Sequence, residues 1–230
     1  MKNLAIIPAR GGSKRIPRKN IKDFRGKPII AYSIQSALQS NLFDEVMVST
    51  DDQEIANIAI RYGAKVPFMR TENTSNDYAT TMDVLKEVEG MYKTIFNKDF
   101  DYICCVYATA PFISKEHLNT GYTLLKEEHL TSVYPIVAFN YPVWRGLKIN
   151  EAGETEMVWP EFSNSRSQDL EKVFHDAGQW YWYDPKKVLD SLFTDNSKSI
   201  VLSESEVQDI DTIIDWQMAE MKYGLLQNLK

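Results

Sequence analysis

The amino-acid sequence predicts an α/β fold, in which a mostly parallel, doubly wound sheet carries helices on both faces. Short apolar runs alternate with stretches whose apolar side chains recur at helical spacing. The run at 101–107 is apolar without alternation, which is typical of a strand buried on both faces. Alternating strands and helices favour parallel strands joined by helical crossovers. We therefore predict a single domain over residues 1–230, with a small arm at about 140–167.

Strands and helices alternate as far as Phe139. Pro8 ends the first strand, because proline offers no N–H to a sheet, and Gly63 caps the second helix. Pro135 lies inside the last of these strands, which suggests an edge strand or a bulge. The predicted elements are strands at 4–7, 45–50, 65–68, 101–107 and 132–139, helices that end near residues 40, 63, 96 and 128, and a polar loop at 71–77.

The pattern changes after Phe139. Residues 140–167 are rich in polar side chains and hold Trp144 and Trp159, and the runs on either side of 151–153 can pair as a hairpin. Exposed aromatic side chains on such an excursion are typical of a subunit contact. Strands at 178–183 and 199–202 follow, and a last helix begins near residue 212 with an apolar stripe of Ile214, Met218, Met221 and Leu225.

The composition argues against several classes of protein. Acidic residues outnumber basic ones, with a net charge of −6 and a pI near 5.2, so we expect no non-specific binding to nucleic acid. No apolar run is long enough to span a membrane, and Pro8 and Arg10 interrupt the apolar run that a secretory signal would need. We therefore expect a cytoplasmic protein with no membrane partner. Cys104 and Cys105 are neighbours on a strand and point to opposite faces, which argues against a disulfide or a zinc site.

The stretch 4–20, which reads LAIIPARGGSKRIPRKN, holds an unusual concentration of positive charge. Gly11 and Gly12 allow a tight turn whose backbone N–H groups converge. The pattern matches neither a Walker A loop nor a G-x-G-x-x-G loop. A basic surface turn is the alternative, but five cations in a chain of net charge −6 favour a loop that binds a polyphosphate. The cations of this basic loop are Arg10, Lys14, Arg15, Arg18 and Lys19.

Two carboxylates two residues apart, Asp209 and Asp211, stand near the end of the chain. On an extended segment they point the same way and can hold one Mg²⁺, while substrate phosphates supply further oxygen ligands. The alternative is helix capping, because Asp211 or Thr212 can begin the last helix and Thr212 can form a capping box with Asp215. Capping accounts for Asp211 but leaves Asp209 unexplained.

Two other groups are weaker candidates. Arg70 and the polar segment 77–81 follow a strand and could contact the edge of a base, although an ordinary loop explains them too. Arg166 suits bidentate binding of a carboxylate. His175 and Asp176 suit hydroxyl groups or proton transfer, with a solvated surface loop as the alternative.

These residues resemble the signature of a known family. The segment ARGGSKRIPRKN at 9–20 is similar to the N-terminal signature of the acylneuraminate cytidylyltransferases, the CMP-sialic acid synthetase family. Further segments match in the same order: VSTD at 48–51, GA at 63–64 with PFMR at 67–70, and DIDT at 209–212. The resemblance covers essentially the whole chain, and the ordered set is more specific than any single motif.

The resemblance implies a fold, a reaction and an assembly. The implied fold is Rossmann-like, of the nucleotide-diphospho-sugar transferase type, and the arm at about 140–167 would join two chains as a homodimer. The implied substrates are CTP and a nonulosonic acid, a nine-carbon 2-keto sugar acid. Their reaction, assisted by Mg²⁺, would give the CMP-sugar and pyrophosphate.

The resemblance also implies roles for individual residues. Lys19, Arg10 and Asp211 are the implied catalytic residues, with Lys19 stabilising the charge that develops at the α-phosphate. Asp209 and Asp211 would hold Mg²⁺, and no residue stands out as the general base. The implied nucleotide-binding residues are Arg10, Gly11, Gly12, Ser13, Lys14, Lys19, Asn20, Arg70, Ala79 and Thr81, and the implied sugar-binding residues are Arg166, Gln168, His175 and Asp176.

One segment departs from the sialic acid synthetases, which usually have Gln-Pro-Thr-Ser-Pro where this chain has YATAPF at 107–112. An amide is lost there, which we place at Ala108, and with it a donor and an acceptor on the sugar side. Together with HDAGQ at 175–179, this difference resembles the branch of the family that acts on pseudaminic acid. The alternatives are a CMP-sialic acid or CMP-Kdo synthetase, or a non-catalytic nucleotide-binding module of the same fold.

Overall fold

The computed structural model describes residues 1–228, and a seven-stranded sheet lies at its centre. In chain order the strands are β1 (Asn3–Pro8), β2 (Asp23–Phe24), β3 (Lys27–Pro28), β4 (Glu45–Ser49), β5 (Tyr102–Val106), β6 (Ser132–Ala138), β7 (Leu147–Ile149), β8 (Thr155–Met157), β9 (Phe174–Asp176), β10 (Trp180–Tyr183) and β11 (Ser197–Leu202). The α-helices are α1 (Ile30–Ser40), α2 (Gln53–Arg61), α3 (Glu72–Ser75), α4 (Thr81–Phe96), α5 (Lys115–Glu127) and α6 (Ile213–Asn228).

The sheet has the order β11-β6-β10-β5-β1-β4. Strand β10 pairs with the first part of β6, and β9 pairs with the last part of β6. Strands β9 and β10 run against their neighbours, and the other strands of this sheet share one direction. The prediction of a mostly parallel sheet is thus confirmed. Strand β5 lies between β1 and β10, and its apolar run is buried on both faces as expected.

Helices cover both faces of the sheet, as predicted. Helices α1, α2 and α5 pack on the face that contains Cys104, and α4 packs on the opposite face, which contains Cys105. Both cysteines are buried and free. At Gly121 a side-chain carbon would lie 2.5 Å from Cη2 of Trp180, so glycine is what allows α5 to approach β10 this closely.

The segment after α2 does not form the predicted strand at 65–68. Only Lys65 pairs with β4, through an isolated bridge to Met47. Two residues later, Pro67 has no backbone N–H to continue a ladder. The chain returns to the end of β4 at Arg70, whose N–H donates to the carbonyl of Thr50 over 2.8 Å. The predicted polar loop that follows contains the short helix α3.

Of the two alternatives predicted from Pro135, the edge strand is wrong, because β6 has neighbours on both sides. On one side it pairs with β11, and on the other it pairs first with β10 and then with β9. Pro135 lies where the partner changes, and its carbonyl accepts a hydrogen bond from the N–H of Ala177 over 3.0 Å. The missing N–H therefore falls at an interruption of the ladder.

The last helix packs through different residues from its predicted stripe. Trp216 and Ala219 of α6 are buried against Phe24 and Tyr32, which the β2–β3 hairpin and α1 provide. The predicted stripe lies on the exposed side of α6, with Ile214, Met218, Met221 and Leu225 facing solvent.

The arm at 140–167 contains the predicted hairpin, formed by β7 and β8. Its turn includes Gly153 at φ +82°, a conformation that favours glycine. Trp144 and Trp159 pack against each other with ring centroids 5.5 Å apart and are only partly exposed. The exposed apolar side chains of the hairpin are aliphatic, namely Leu147 and Ile149. Within residues 1–228, no helix is both long and apolar enough to cross a membrane.

Candidate active site

A cleft of about 440 Å³ lies at the carboxyl ends of β1 and β5. In parallel α/β sheets this edge is where ligands bind, since the loops that leave the strands converge there. The basic loop and the end of the 209–211 segment share this cleft, although they stand at opposite ends of the sequence. The predicted residues on its wall are Arg10, Ser13, Lys14, Lys19, Asn20, Arg70, Ala79, Thr81 and Asp211.

The start of the basic loop is held against the loop that follows β4. The N–H of Gly11 donates to a carboxylate oxygen of Asp51 over 2.8 Å. A side-chain carbon at Gly11 would lie 2.8 Å from Oδ2 of Asp52, so this position requires glycine for a close approach. At Gly12, by contrast, no atom lies within 4 Å of the position that a side-chain carbon would take. The two glycines predicted together therefore have different structural roles.

Arg18 of the basic loop points away from the cleft. Its backbone adopts φ 56°, and its guanidinium contacts the carboxylates of Asp52 and Glu54 at the start of α2. Asp52 also caps α2 by accepting from the N–H groups of Glu54 and Ile55. Chiefly because of the hydrogen bond from Arg18, the pKa of Asp52 falls to about 2. This cation therefore fixes the shape of the loop.

Lys19 and Arg15 meet the acidic segment across the cleft. Nζ of Lys19 lies 2.6 Å from the carbonyl oxygen of Ile210 and 3.7 Å from Oδ1 of Asp211. Nη2 of Arg15 donates to the same carboxylate oxygen over 2.8 Å. The contact between Lys19 and Asp211 joins the first loop of the chain to the segment before its last helix.

The capping box predicted for Thr212 and Asp215 is confirmed. Asp215 accepts from the N–H and the hydroxyl of Thr212 over 2.7 and 2.8 Å, and its own N–H lies 3.3 Å from the Thr212 hydroxyl oxygen. Thr212 and Asp215 thus cap α6. The carboxylates of Asp209 and Asp211 take no part in that capping pair.

The pair has the chemistry of a divalent-cation site. The pKa of the Asp209 carboxyl is raised, first by partial loss of hydration and then by the negative charge of Asp211. Of the two residues, Asp211 is on the wall of the cleft and Asp209 is not. Two neighbouring carboxylates suit Mg²⁺, which binds through one or two carboxylates and completes its shell with water and phosphate oxygens. Within residues 1–228, no cluster of three or more potential ligand side chains offers another metal site.

Arg10 and Lys14 share a partner that the sequence did not identify. Nη1 of Arg10 lies 2.8 Å from Oδ1 of Asp77 and 2.9 Å from the carbonyl oxygen of Asn76, and Lys14 pairs with Oδ2 of Asp77. These two cations lower the pKa of the Asp77 carboxyl. Asp77 is far from them in the sequence, and no spacing rule connects the three residues.

The far wall of the cleft is built around Arg70, which is buried at the end of β4. Its Nε donates to the hydroxyl of Ser49 over 3.0 Å and its Nη2 to the carbonyl of Ser49 over 2.6 Å. Burial lowers its pKa. The hydroxyls of Thr81 and Tyr107 lie 3.0 Å apart on the same wall. Ala108 is buried, whereas Tyr107 and Thr109 of the 107–112 segment both line the cleft with side chains that carry a hydroxyl.

Among the predicted sugar-binding residues, only Asp176 lies beside the cleft. A cavity of about 250 Å³ adjoins it, with Tyr107 on the wall of both. Asp176 lines this smaller cavity and accepts a hydrogen bond from the hydroxyl of Tyr181, a residue of the aromatic strand β10 that we had not identified as a site residue.

The other sugar candidates lie elsewhere. His175, the neighbour of Asp176 on β9, packs against Phe139 with ring centroids 4.7 Å apart. Arg166 is exposed in the arm and pairs with Asp169 over 2.7 Å. Gln168 lines a separate cavity within the arm. A single chain therefore does not bring Arg166, Gln168 or His175 to the cleft.

Comparison with known proteins gives four findings. A family model described as "Cytidylyltransferase" matches residues 4–184. The chain is 45% identical over 225 residues to a pseudaminic acid cytidylyltransferase of Campylobacter jejuni, and the match covers 97% of both chains. It is 36% identical to a CMP-N,N'-diacetyllegionaminic acid synthase of Legionella pneumophila, over 99% of this chain and 98% of the other. The solved structure of a CMP:2-keto-3-deoxy-manno-octonic acid synthetase complexed with CTP has a TM-score of 0.68 with 20% identity, covers 99% of this chain and 100% of its own, and supports the fold alone.

Proposed function

The chain belongs to the cytidylyltransferase family, and from that membership we propose that it transfers the CMP group of CTP to pseudaminic acid and releases pyrophosphate. The observation that carries this proposal is the cleft itself, in which Lys19 lies 3.7 Å from Asp211 and the basic loop faces the acidic segment. The choice of sugar follows the relative with 45% identity over nearly the whole chain. A CMP-sialic acid or CMP-Kdo synthetase is the alternative.

In the proposed reaction the anomeric hydroxyl of the sugar acid attacks the α-phosphorus of CTP, and pyrophosphate leaves. Arg10 and Lys14, on the open side of the cleft, bind the outer phosphates together with Ser13. Lys19 is less exposed and faces the α-phosphate, where a fixed cation stabilises the charge that develops as the bond to pyrophosphate breaks. Asn20 supports this loop, since its side-chain N–H donates to the carbonyl of Arg10 over 2.9 Å.

The nucleoside occupies the wall that carries Arg70, Ala79 and Thr81. Arg70 is held by Ser49, so it offers a rigid surface that loses little conformational freedom when the cytosine binds. The cytoplasm is the compartment that holds CTP, and we place the reaction there.

We assign a Mg²⁺ ion to Asp209 and Asp211. Bound there, it would neutralise charge on the phosphates and lower the pKa of a bound hydroxyl. The raised pKa of Asp209 supports this assignment, because a cation would relieve the repulsion from Asp211.

The arm completes the sugar site in a homodimer. Arg166 and Gln168 lie away from the cleft of their own chain, and the hairpin exposes Leu147 and Ile149. If the arm of one chain covers the cleft of another, the aliphatic side chains become buried and Arg166 can bind the sugar carboxylate, for which a guanidinium is well suited.

The substrate is tested by a coupled pyrophosphate assay with CTP and a panel of sugar acids. We expect turnover to be highest with pseudaminic acid and lower with N-acetylneuraminic acid, legionaminic acid and Kdo, and we expect ATP and UTP to replace CTP poorly. Faster turnover with another acid would reassign the substrate. No pyrophosphate release with any acid would favour the non-catalytic module.

The role of Lys19 is tested by Lys19→Ala. If its charge acts in the transition state, kcat should fall by about a hundredfold or more with little change in CTP affinity. The matched control is Lys22→Ala, because Lys22 lies three residues further along the same loop, outside the wall of the cleft. A loss of CTP affinity alone would make Lys19 a binding residue.

The acidic pair is tested by Asp209→Asn. Its pKa is higher in the folded protein than in the unfolded chain, so its ionisation at neutral pH costs folding free energy. We therefore expect the variant to unfold at a slightly higher urea concentration than the wild type without metal, while Mg²⁺-dependent turnover falls sharply. Turnover that stays intact in both Asp209→Asn and Asp211→Asn would contradict the Mg²⁺ assignment.

The homodimer is tested by light scattering at micromolar concentration. We expect the wild type to be a dimer and Ile149→Lys to be a monomer with weakened sugar-acid binding, since a charge would replace an apolar contact. Ile60→Lys is the matched control, because Ile60 is an exposed isoleucine of α2, outside the arm. A monomeric wild type would refute the arm proposal.

A further inference from the structure

We propose that Asp77 is an internal substitute for the phosphates of the nucleotide: it pairs with Arg10 and Lys14 in the free protein and leaves them when the triphosphate binds. This inference rests on the proposed function of the cleft. Each oxygen of the Asp77 carboxylate meets a different cation, with Oδ1 on Arg10 and Oδ2 on Lys14. A phosphate group that bridges the two side chains would have to use the same positions.

The contacts of Asp77 are suited to exchange because they are exposed. The side chain of Asp77 is 42% exposed and that of Lys14 is 78% exposed. Ion pairs in contact with water contribute little net stability, since solvent screens them and both side chains lose freedom. A triphosphate carries several negative charges and offers more acceptor oxygens than one carboxylate, so it competes well for the same two cations.

The local fold does not depend on Asp77. The turn around it is held by Asn76, whose side-chain oxygen accepts from the N–H groups of Tyr78 and Ala79 over 2.8 and 3.0 Å. Helix α4 begins with its own capping box between Thr80 and Asp83. The carboxylate of Asp77 therefore pairs with the two cations and makes none of the hydrogen bonds that hold the turn or cap the helix.

Asp211, the other carboxylate that pairs with cations of the basic loop in the cleft, has a further role that Asp77 lacks. Asp211 faces Arg15 and Lys19 and stands beside Asp209, with which we assign it to Mg²⁺. Asp211 therefore keeps a role when nucleotide is bound. Asp77 has no such role, and its negative charge would repel the phosphates that its two cations are placed to bind.

Asp77 is also close in sequence to the nucleoside side of the cleft. Ala79 lies two residues from Asp77 and is on the wall assigned to the nucleoside. Tyr78 between them is 93% exposed, so burial does not anchor this short segment. Because the side-chain oxygen of Asn76 holds the N–H groups of Tyr78 and Ala79, the Asp77 carboxylate can leave its cations while Ala79 stays on that wall.

Titration calorimetry with inorganic pyrophosphate and with CTP tests this proposal on the full chain. Asp77→Asn and Asp77→Ala should each bind pyrophosphate about three- to fivefold more tightly than the wild type, because a competing anion is removed. CTP should bind more tightly in both variants as well. Asp99→Asn is the matched control, since Asp99 is also an exposed carboxylate paired with a lysine, Lys93, and lies outside the cleft.

The outcomes separate the two proposals. If the wild type binds neither pyrophosphate nor CTP, the proposed function of the cleft fails. If the wild type binds both, but the Asp77 variants bind pyrophosphate with equal or lower affinity, Asp77 organises the cations instead of competing for them, and the inference is overturned. Circular dichroism melts accompany the titrations. Failure of both variants to fold would contradict the claim that the turn does not need Asp77.

Discussion

The basic loop places five cations within ten residues, and the repulsion among them is the constraint on which the cleft depends. In the folded chain each of these side chains meets a carboxylate that lies outside the loop. Asp52 and Glu54 come from the start of α2, Asp77 from the turn before α4, and Asp211 from the segment before α6. The loop is therefore held by charges that converge from three elements at one edge of the sheet.

These ion pairs divide the loop into a fixed part and an exchangeable part. Arg18 is held by Asp52, which is itself used to cap α2, so this contact links the loop to the helix and resists removal. Arg10 and Lys14 are held on the open side by one exposed carboxylate. A loop anchored at one end and lightly neutralised at the other can keep its shape while its outer cations change partner. That combination suits a site that must bind a highly charged substrate and release pyrophosphate.

The sequence could predict most of the sheet and the cleft because both follow from local patterns. Strand β5 was recognisable from its unbroken apolar run, and the basic loop from its charge. The role of Arg18 was not recognisable, because five neighbouring cations are chemically alike and only a backbone at φ 56° turns this one away. The pairing of Asp77 with Arg10 and Lys14 was missed, because no local pattern records a contact between residues so far apart in the sequence. The segment at 65–68 has the composition of a strand, but Pro67 allows only one bridge to form.

The sugar acid and the phosphates need different cations as partners. A sugar acid brings its own carboxylate, which needs a cation, and within residues 1–228 the cations on the wall of the cleft belong to the basic loop or to Arg70. The cations of the basic loop face the positions proposed for the phosphates, and Arg70 is hydrogen-bonded to Ser49.

Arg166 is exposed on the arm, where its present partner Asp169 lies only one turn away. The same arm leaves Leu147 and Ile149 uncovered, and exposed aliphatic side chains on a hairpin favour burial against a partner. Contact between the arm of one chain and the cleft of a second would bury the aliphatic side chains and bring Arg166 to the sugar carboxylate. A monomer would leave the sugar carboxylate without a matched cation.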